Sequence, residues 1–295
     1  MVDRTVSLVH AMFLLWIACI APCTHAQSSI DGFAPNPNGP VVALAVQADG
    51  KLVVGGEFTA IGGQARGAIA RIETDGSIDA TFDPNASNTV FALAPQPDGK
   101  LIVGGLFTAL GGQPRSYLAR IDADGSLDAS FAAETDGPVL ALALQPDGKV
   151  VVGGMFTSIG GQPRHFIARL NADGSVDAAF DSGANNVVTA LALLPDGKMA
   201  VGGYFTTMGG QVRQRLAWLD RDGNVDAAFH LSANQAVLAL ATHPDGALTV
   251  AGAFTAVDGQ TRNALARIKQ DGTLDTARCV SGSRVKLPVP GETLT

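Results

Sequence analysis

From residue 41 onward, short apolar runs alternate with polar turn signals, and nowhere does a helical period appear. Residues 41–46 (VVALAV) form a continuous apolar, partly β-branched run, as expected of a strand covered on both faces. Ala48-Asp49-Gly50-Lys51 is a tight-turn signal, and a second strand follows from residue 52 to Phe58. It breaks at Gly62-Gly63-Gln64, and residues 68–72 make a third strand that ends at Thr74-Asp75-Gly76-Ser77. Residues 78–82 read as a fourth and shortest strand. The unit is a β-meander of four strands.

This unit recurs five times at a constant spacing of 49 residues, over about 41–89, 90–138, 139–187, 188–236 and 237–278. The first Asp-Gly falls at Asp49, Asp98, Asp147, Asp196 and Asp245, and the second at Asp75, Asp124, Asp173, Asp222 and Asp271. A Phe-Thr recurs between them at Phe58, Phe107, Phe156, Phe205 and Phe254. A fixed period of this size marks a repeat architecture in which neighbours complete one another's core.

Four antiparallel strands repeated at this interval predict an all-β fold, a β-propeller of about five four-stranded blades. An open β-solenoid is disfavoured, because solenoid coils are usually shorter and do not carry two Asp-Gly hairpins each. The columns Ala43, Ala92, Ala141, Ala190, Ala239 and Ala45, Ala94, Ala143, Ala192, Ala241 put small side chains where first strands would crowd an axis. Phe33 falls 49 residues before Phe82, so Ile30-Asp31-Gly32-Phe33 is expected to supply the outer strand that the last unit loses at Arg278, closing a five-bladed disc.

The stretches QPDGKLIVGGLFT at 96–108 and ARIDADGSLDASF at 119–131 resemble the delta-60 repeat, and the likeness extends over all five units, about residues 40–277. That bacterial tandem-repeat family implies a β-propeller in an exported protein and no defined activity. Kelch repeats share the Gly-Gly after an apolar strand, but they also want a recurrent Tyr and Trp. Beyond residue 26 the only tryptophan is Trp218.

In a meander, the first-to-second and third-to-fourth connections share one end, and the second-to-third connection shares the other with the link to the next unit. One face is therefore paved with Asp-Gly turns. The opposite face carries the Gly-Gly-Gln-x-Arg loops (the last copy reads Asp-Gly-Gln), with Arg66, Arg115, Arg164, Arg213 and Arg262, and the variable links that include His230. Variable loops on a rigid frame are where binding specificity resides. Those arginines and His230 are the candidate ligand contacts; the competing reading is that each arginine pairs within its own unit. Asp122 to Asp128 resembles part of a calcium loop, but the first ligand position reads Glu73, Asp122, Asn171, Asp220 and Lys269 in turn. Turn chemistry accounts for the motif, and neither a metal nor a cofactor is expected.

Residues 1–26 stand outside the repeat and read as a signal peptide, with an apolar stretch at 11–21 and Thr24-His25-Ala26 before the cleavage point. The stretch is shorter than a bilayer needs, so no membrane span is expected once the signal is removed. A secreted, periplasmic or cell-surface location follows. Cys19 and Cys23 lie in that leader, which leaves Cys279, in an irregular tail at 279–295, as a single thiol unable to build a bridge or a cysteine metal site. The net charge of −7 argues against nucleic acid as a partner.

Chemistry should break the repeat, and few residues do: Trp218, His165, His230, and His243 in the slot held by Gln47, Gln96 and Gln145. Spacing alone does not assemble these into a nucleophile–base pair or a metal site, so the chain is expected not to be an enzyme. The favoured reading is an exported, monomeric interaction module that binds a protein, peptide or glycan on its loop face. The alternative is a structural spacer, or a truncated part of a larger cell-surface protein, with no ligand of its own.

Overall fold

A computed structural model describes residues 33–276; the signal at 1–26, Ile30 to Gly32, Arg278 and the tail at 279–295 lie outside the described residues. Every regular element among the described residues is a strand. In the first unit these are β1 (Val41–Val46), β2 (Leu52–Gly56), β3 (Ala60–Ile61), β4 (Gln64–Ala65) and β5 (Ile69–Ile72). β1 pairs antiparallel with β2, which pairs antiparallel with β5, in the order β1-β2-β5. The same five elements return in each later unit.

Two details depart from the sequence pattern. The fourth strand expected over 78–82 joins the sheet through the single bridge Ile72↔Ile78. It stops there because the Asp79 carboxylate accepts from the N–H and hydroxyl of Thr81 and curls the chain into an Asx turn. The break at Gly62-Gly63 is a hairpin of its own, β3 against β4. Gly62 and Gly63 both have positive φ, 58° and 74°, the pair of angles a two-residue type I′ turn demands. Each hairpin is held from outside by one polar side chain of the incoming link. Asn38 accepts from Thr59 and Ala60 N–H, Asp136 from Thr157 and Ser158, and Asn234 from Thr255 and Ala256.

The four larger hydrophobic cores lie between units, while a smaller one of Val54, Phe58, Ile61, Ala70 and Ile72 lies within the first. The first-to-second core joins Val53, Ile69 and Phe82 of one unit to Val90, Val103, Phe107 and Ile121 of the next. Equivalent clusters fill the next three junctions. The first strands also pack in sequence order, β1 on Val90–Pro95, that strand on Val139–Leu144, and so on to Val237–Thr242. Among the described residues that packing runs from β1 to Val237–Thr242, and none of comparable extent returns to β1. At its two ends Leu44 and Val46 are 66% and 69% exposed and Leu265 is 60% exposed, while Val54, Phe58, Ile61 and Ile72 of the first unit are buried. The link from Phe33 enters the first unit as later links enter theirs: the Pro35 carbonyl accepts from the Gly62 N–H as the Pro84 carbonyl does from Gly111.

Candidate functional site

The two faces have the distribution that the meander dictates. On the turn face, each Asp-Gly turn is closed by its own aspartate: Asp49 accepts from Lys51 N–H, and Asp75 accepts from the N–H and hydroxyl of Ser77. Beneath the turns a buried aspartate gathers two cations in each of the first three units. Asp79 meets Arg71 and Lys51, Asp128 meets Arg120 and Lys100, and Asp177 meets Arg169 and Lys149. Burial pushes the Asp128 carboxyl up, but hydrogen bonds from Lys100, Ser130 and Arg120 outweigh it and hold the group well below the usual carboxylate range. At Asp177 the Lys149 hydrogen bond is the largest cause, and the pKa is lowered to about 2. These charges are spent on structure. The arginine planes also lie over Phe82, Phe131 and Phe180, 4.3 to 4.9 Å from the ring centres.

On the loop face, the predicted arginines each turn back onto their own unit. Arg66 is buried and donates to Gln64 Oε1 and to the carbonyls of Ala65, Asp79 and Ala80. Arg213 and Arg262 repeat the long-range contact, donating to the carbonyls of Asp226 and Asp275. Arg115 pairs with Glu134 at 3.1 Å, and Arg164 donates to the Pro163 carbonyl. Those two are half-buried, and His230 is exposed on the link after the fourth unit. No two of these arginines share a hydrogen-bond partner in the contacts above. A concavity of about 290 Å³ opens on this face between the first and second units, lined by Glu57, Thr59, Gly67, Ser87, Asn88 and Thr89 among others. Later units place Ser116, His165, Gln214 and Asn263 at the Gly67 position.

A second concavity, about 420 Å³, runs along the outward flank of the fifth unit. His243, Thr249, Arg262, Leu265, Arg267 and Asp275 line it. His243 Nε2 and the Thr249 hydroxyl are 2.6 Å apart. Arg267 bridges Asp245 and Asp275. The histidine was visible in the sequence as a repeat-breaking residue, but its partner was missed. Thr249 stands in the column Val53, Ile102, Val151, Ala200, and a hydroxyl among those apolar side chains is the signal that could have found it. No group of three or more His, Cys, Asp or Glu is disposed to hold a metal ion among the described residues. None of their helices is long and apolar enough to cross a membrane.

Comparison with solved structures finds the same fold in several proteins. Virginiamycin B lyase from Staphylococcus aureus is 15% identical, with 81% of this chain and 70% of that chain covered at a TM-score of 0.52. A gluconolactonase from Xanthomonas campestris is 18% identical, with 81% and 76% covered at 0.50. The extracellular domain of a one-component system from B. thetaiotaomicron is 12% identical, with 81% and 29% covered at 0.50. These likenesses correct the expectation that the chain is not an enzyme. A lyase and a lactonase occur on this fold, so apolar core strands and the lack of a recognisable nucleophile–base spacing exclude nothing. His243 and Thr249 also meet here without a sequence motif that marks them. None of the curated proteins compared with the chain matches it. The family described as "Domain of unknown function (DUF5122) beta-propeller" matches residues 47–82, 96–131, 145–180, 194–229 and 243–277, one stretch in each unit. The chain belongs to this family of β-propeller repeats.

Proposed function

We propose that the chain is an exported repeat scaffold that binds a protein or glycan partner non-covalently on its loop face. The observation that carries this reading is the contrast between the faces. The turn face repeats one arrangement of short Asp-Gly turns over paired charges, which offers little shape to select a ligand. On the loop face a common, side-chain-capped hairpin presents a different residue in each unit, from Gly67 to Asn263, and opens the concavity at Gly67. Arg115, Arg164 and His230 stand at its half-buried and exposed positions. Export is supported by the apolar stretch at 11–21 followed by small residues before residue 27.

Glycan-array and peptide-array binding by the chain beginning at residue 27 tests the reading. Ligand retention should be lost in Arg115→Ala/Arg164→Ala and kept in Lys100→Ala/Lys149→Ala. The opposite result would place the ligand on the turn face. An absence of any ligand would favour a structural spacer. N-terminal sequencing of the protein recovered from outside the cell should begin at Gln27, and an intact Met1 would overturn export.

A further inference from the structure

One column of the repeat gains a charge in the first unit alone. Glu57 holds the place taken by Leu106, Met155, Tyr204 and Ala253 in the later units. At the junction of the second and third units, Leu106 and Tyr117 pack with Leu140 and Met155 and fill the loop-face end. At the junction of the first and second, the same two positions are Glu57 and Ala68, and the concavity of about 290 Å³ lies there instead. Gly67 keeps its wall bare, because a Cβ there would collide with Asn85 Oδ1 and lie 2.8 Å from the Ala86 carbonyl oxygen. Glu57 is half-buried, and among the described residues nothing donates to its carboxylate. The nearby cations are engaged elsewhere. Arg66 turns onto Gln64 and the carbonyls of Asp79 and Ala80, and Arg115 pairs with Glu134.

We propose, resting on the loop-face reading above, that this concavity takes the side-chain ammonium of a lysine from a basic segment of a partner protein. Glu57 is the anchor and accepts a charge-assisted hydrogen bond from the ammonium. Ala68 and Ala86, both buried, give the methylene stem an apolar wall, as lysine stems require when only the head is charged. The volume is at the small end for ligand cavities, which suits one inserted side chain. The net charge of −7 steers a basic partner toward the chain and disfavours an acidic one.

Fluorescence anisotropy of a labelled Lys-Gly-Ser repeat peptide with the chain beginning at residue 27 tests this. Wild type should bind the peptide, and its Nε-acetylated form should not compete. Glu57→Gln should weaken binding at least about tenfold. Ala68→Tyr should weaken it as much by closing the concavity. Tyr117 already stands at that position in the second unit, with φ 65° against 59° at Ala68, so the backbone accepts the ring. Unchanged melting temperatures would confirm that both variants keep the fold. Glu73→Gln removes the same charge on the turn face, where Glu73 pairs with Lys51, and should leave binding unchanged. An equal loss there would reduce the attraction to net charge and overturn the proposal. Binding that survives Glu57→Gln, or competition by the acetylated peptide, would overturn it as well. A glucosamine oligomer that binds through Glu57 while the lysine peptide does not would overturn it in favour of an amino sugar. No peptide binding, with array ligands still dependent on Arg115 and Arg164, would defeat this assignment and leave the loop-face reading standing. No ligand of either kind would defeat both.

Discussion

Gly104 and Val139 meet across the junction of the second and third units so closely that a Cβ on Gly104 would lie 2.5 Å from Val139 Cγ1. The same approach recurs at Gly55–Val90, Gly153–Val188 and Gly202–Val237. The first glycine of the Gly-Gly pair in each of these second strands therefore serves packing between units. Its φ needs no special freedom; the missing side chain is what the neighbouring valine occupies.

Gly104→Ala should lower stability by about 1–3 kcal/mol, the usual range for overpacking a close-packed core. Adding Val139→Ala should recover part of that loss, because the new methyl then has room. Urea unfolding of the single and double variants measures the coupling. Purely additive costs would mean that the valine does not set the glycine requirement.

The 49-residue register made the blades and both faces legible, because two Asp-Gly turns and one further glycine hairpin per unit leave few ways to run a meander. The fourth strand was legible as the shortest, but not that Asp79 bends the chain after Ile78 and leaves it one bridge to the third. Phe33 matches Phe82 in register, but a register match says which position a residue takes within a unit, not which unit it joins, and the strand at Ile30 to Gly32 expected to close the disc lies outside the described residues. The loop-face arginines were located correctly on their hairpins, yet their inward hydrogen bonds depend on carbonyls 13 residues away, as in Arg66 to Asp79. The His243–Thr249 contact depends on a hairpin that sets residues six apart side by side, which no linear motif marks.

Acid should weaken the fold through the buried aspartates. The Asp177 carboxyl is lowered to about 2 by Lys149 and Arg169, below its unfolded value. Its contribution is complete above the unfolded pKa of about 3.9 and is lost as pH falls through the folded value. The unfolded chain takes up the proton first, so each step down in pH favours unfolding. Asp177→Asn should melt lower than wild type at neutral pH, with the gap narrowing between about pH 4 and pH 2. A gap that is constant with pH would show that Asp177 is not charged in the folded state.

One backbone position departs from the preferred region in every unit. Ala68, Tyr117, Phe166, Arg215 and Ala264 have φ between 59° and 67°. The left-handed conformation costs a residue with a Cβ about 1–2 kcal/mol, partly offset in glycine by its greater freedom when unfolded. Ala68→Gly should therefore raise stability by ~0.5–1 kcal/mol. Tyr117→Gly should lower it, because that ring packs with Phe91, Leu106 and Met155. Opposite signs in matched urea titrations are the expected result. A loss at both positions would mean that the backbone angle is not under strain.

Trp218 offers a probe of how cooperatively the repeat array unfolds. It takes the place held by Arg71, Arg120 and Arg169 in the earlier units and stacks on Phe229, with ring centres 4.4 Å apart and planes 11° from parallel. Both rings belong to the core shared with the fifth unit, beside Leu248, Val250 and Ile268. In a chain beginning at residue 27 it is the only tryptophan, so its emission reports this junction alone. Among the described residues the fifth unit packs against another unit on one side only, and its outward flank carries Thr249 and an exposed Leu265 where inner units bury apolar side chains. In a repeat array, a unit with one interface opens at lower cost than a unit with two. Tryptophan emission should therefore shift red at a lower urea concentration than the far-ultraviolet circular dichroism, which reports all five units. Phe229→Ala removes the stacking partner and empties part of the junction, and should widen the separation of the two midpoints. Coincident transitions in both chains would mean that the five units unfold as one body.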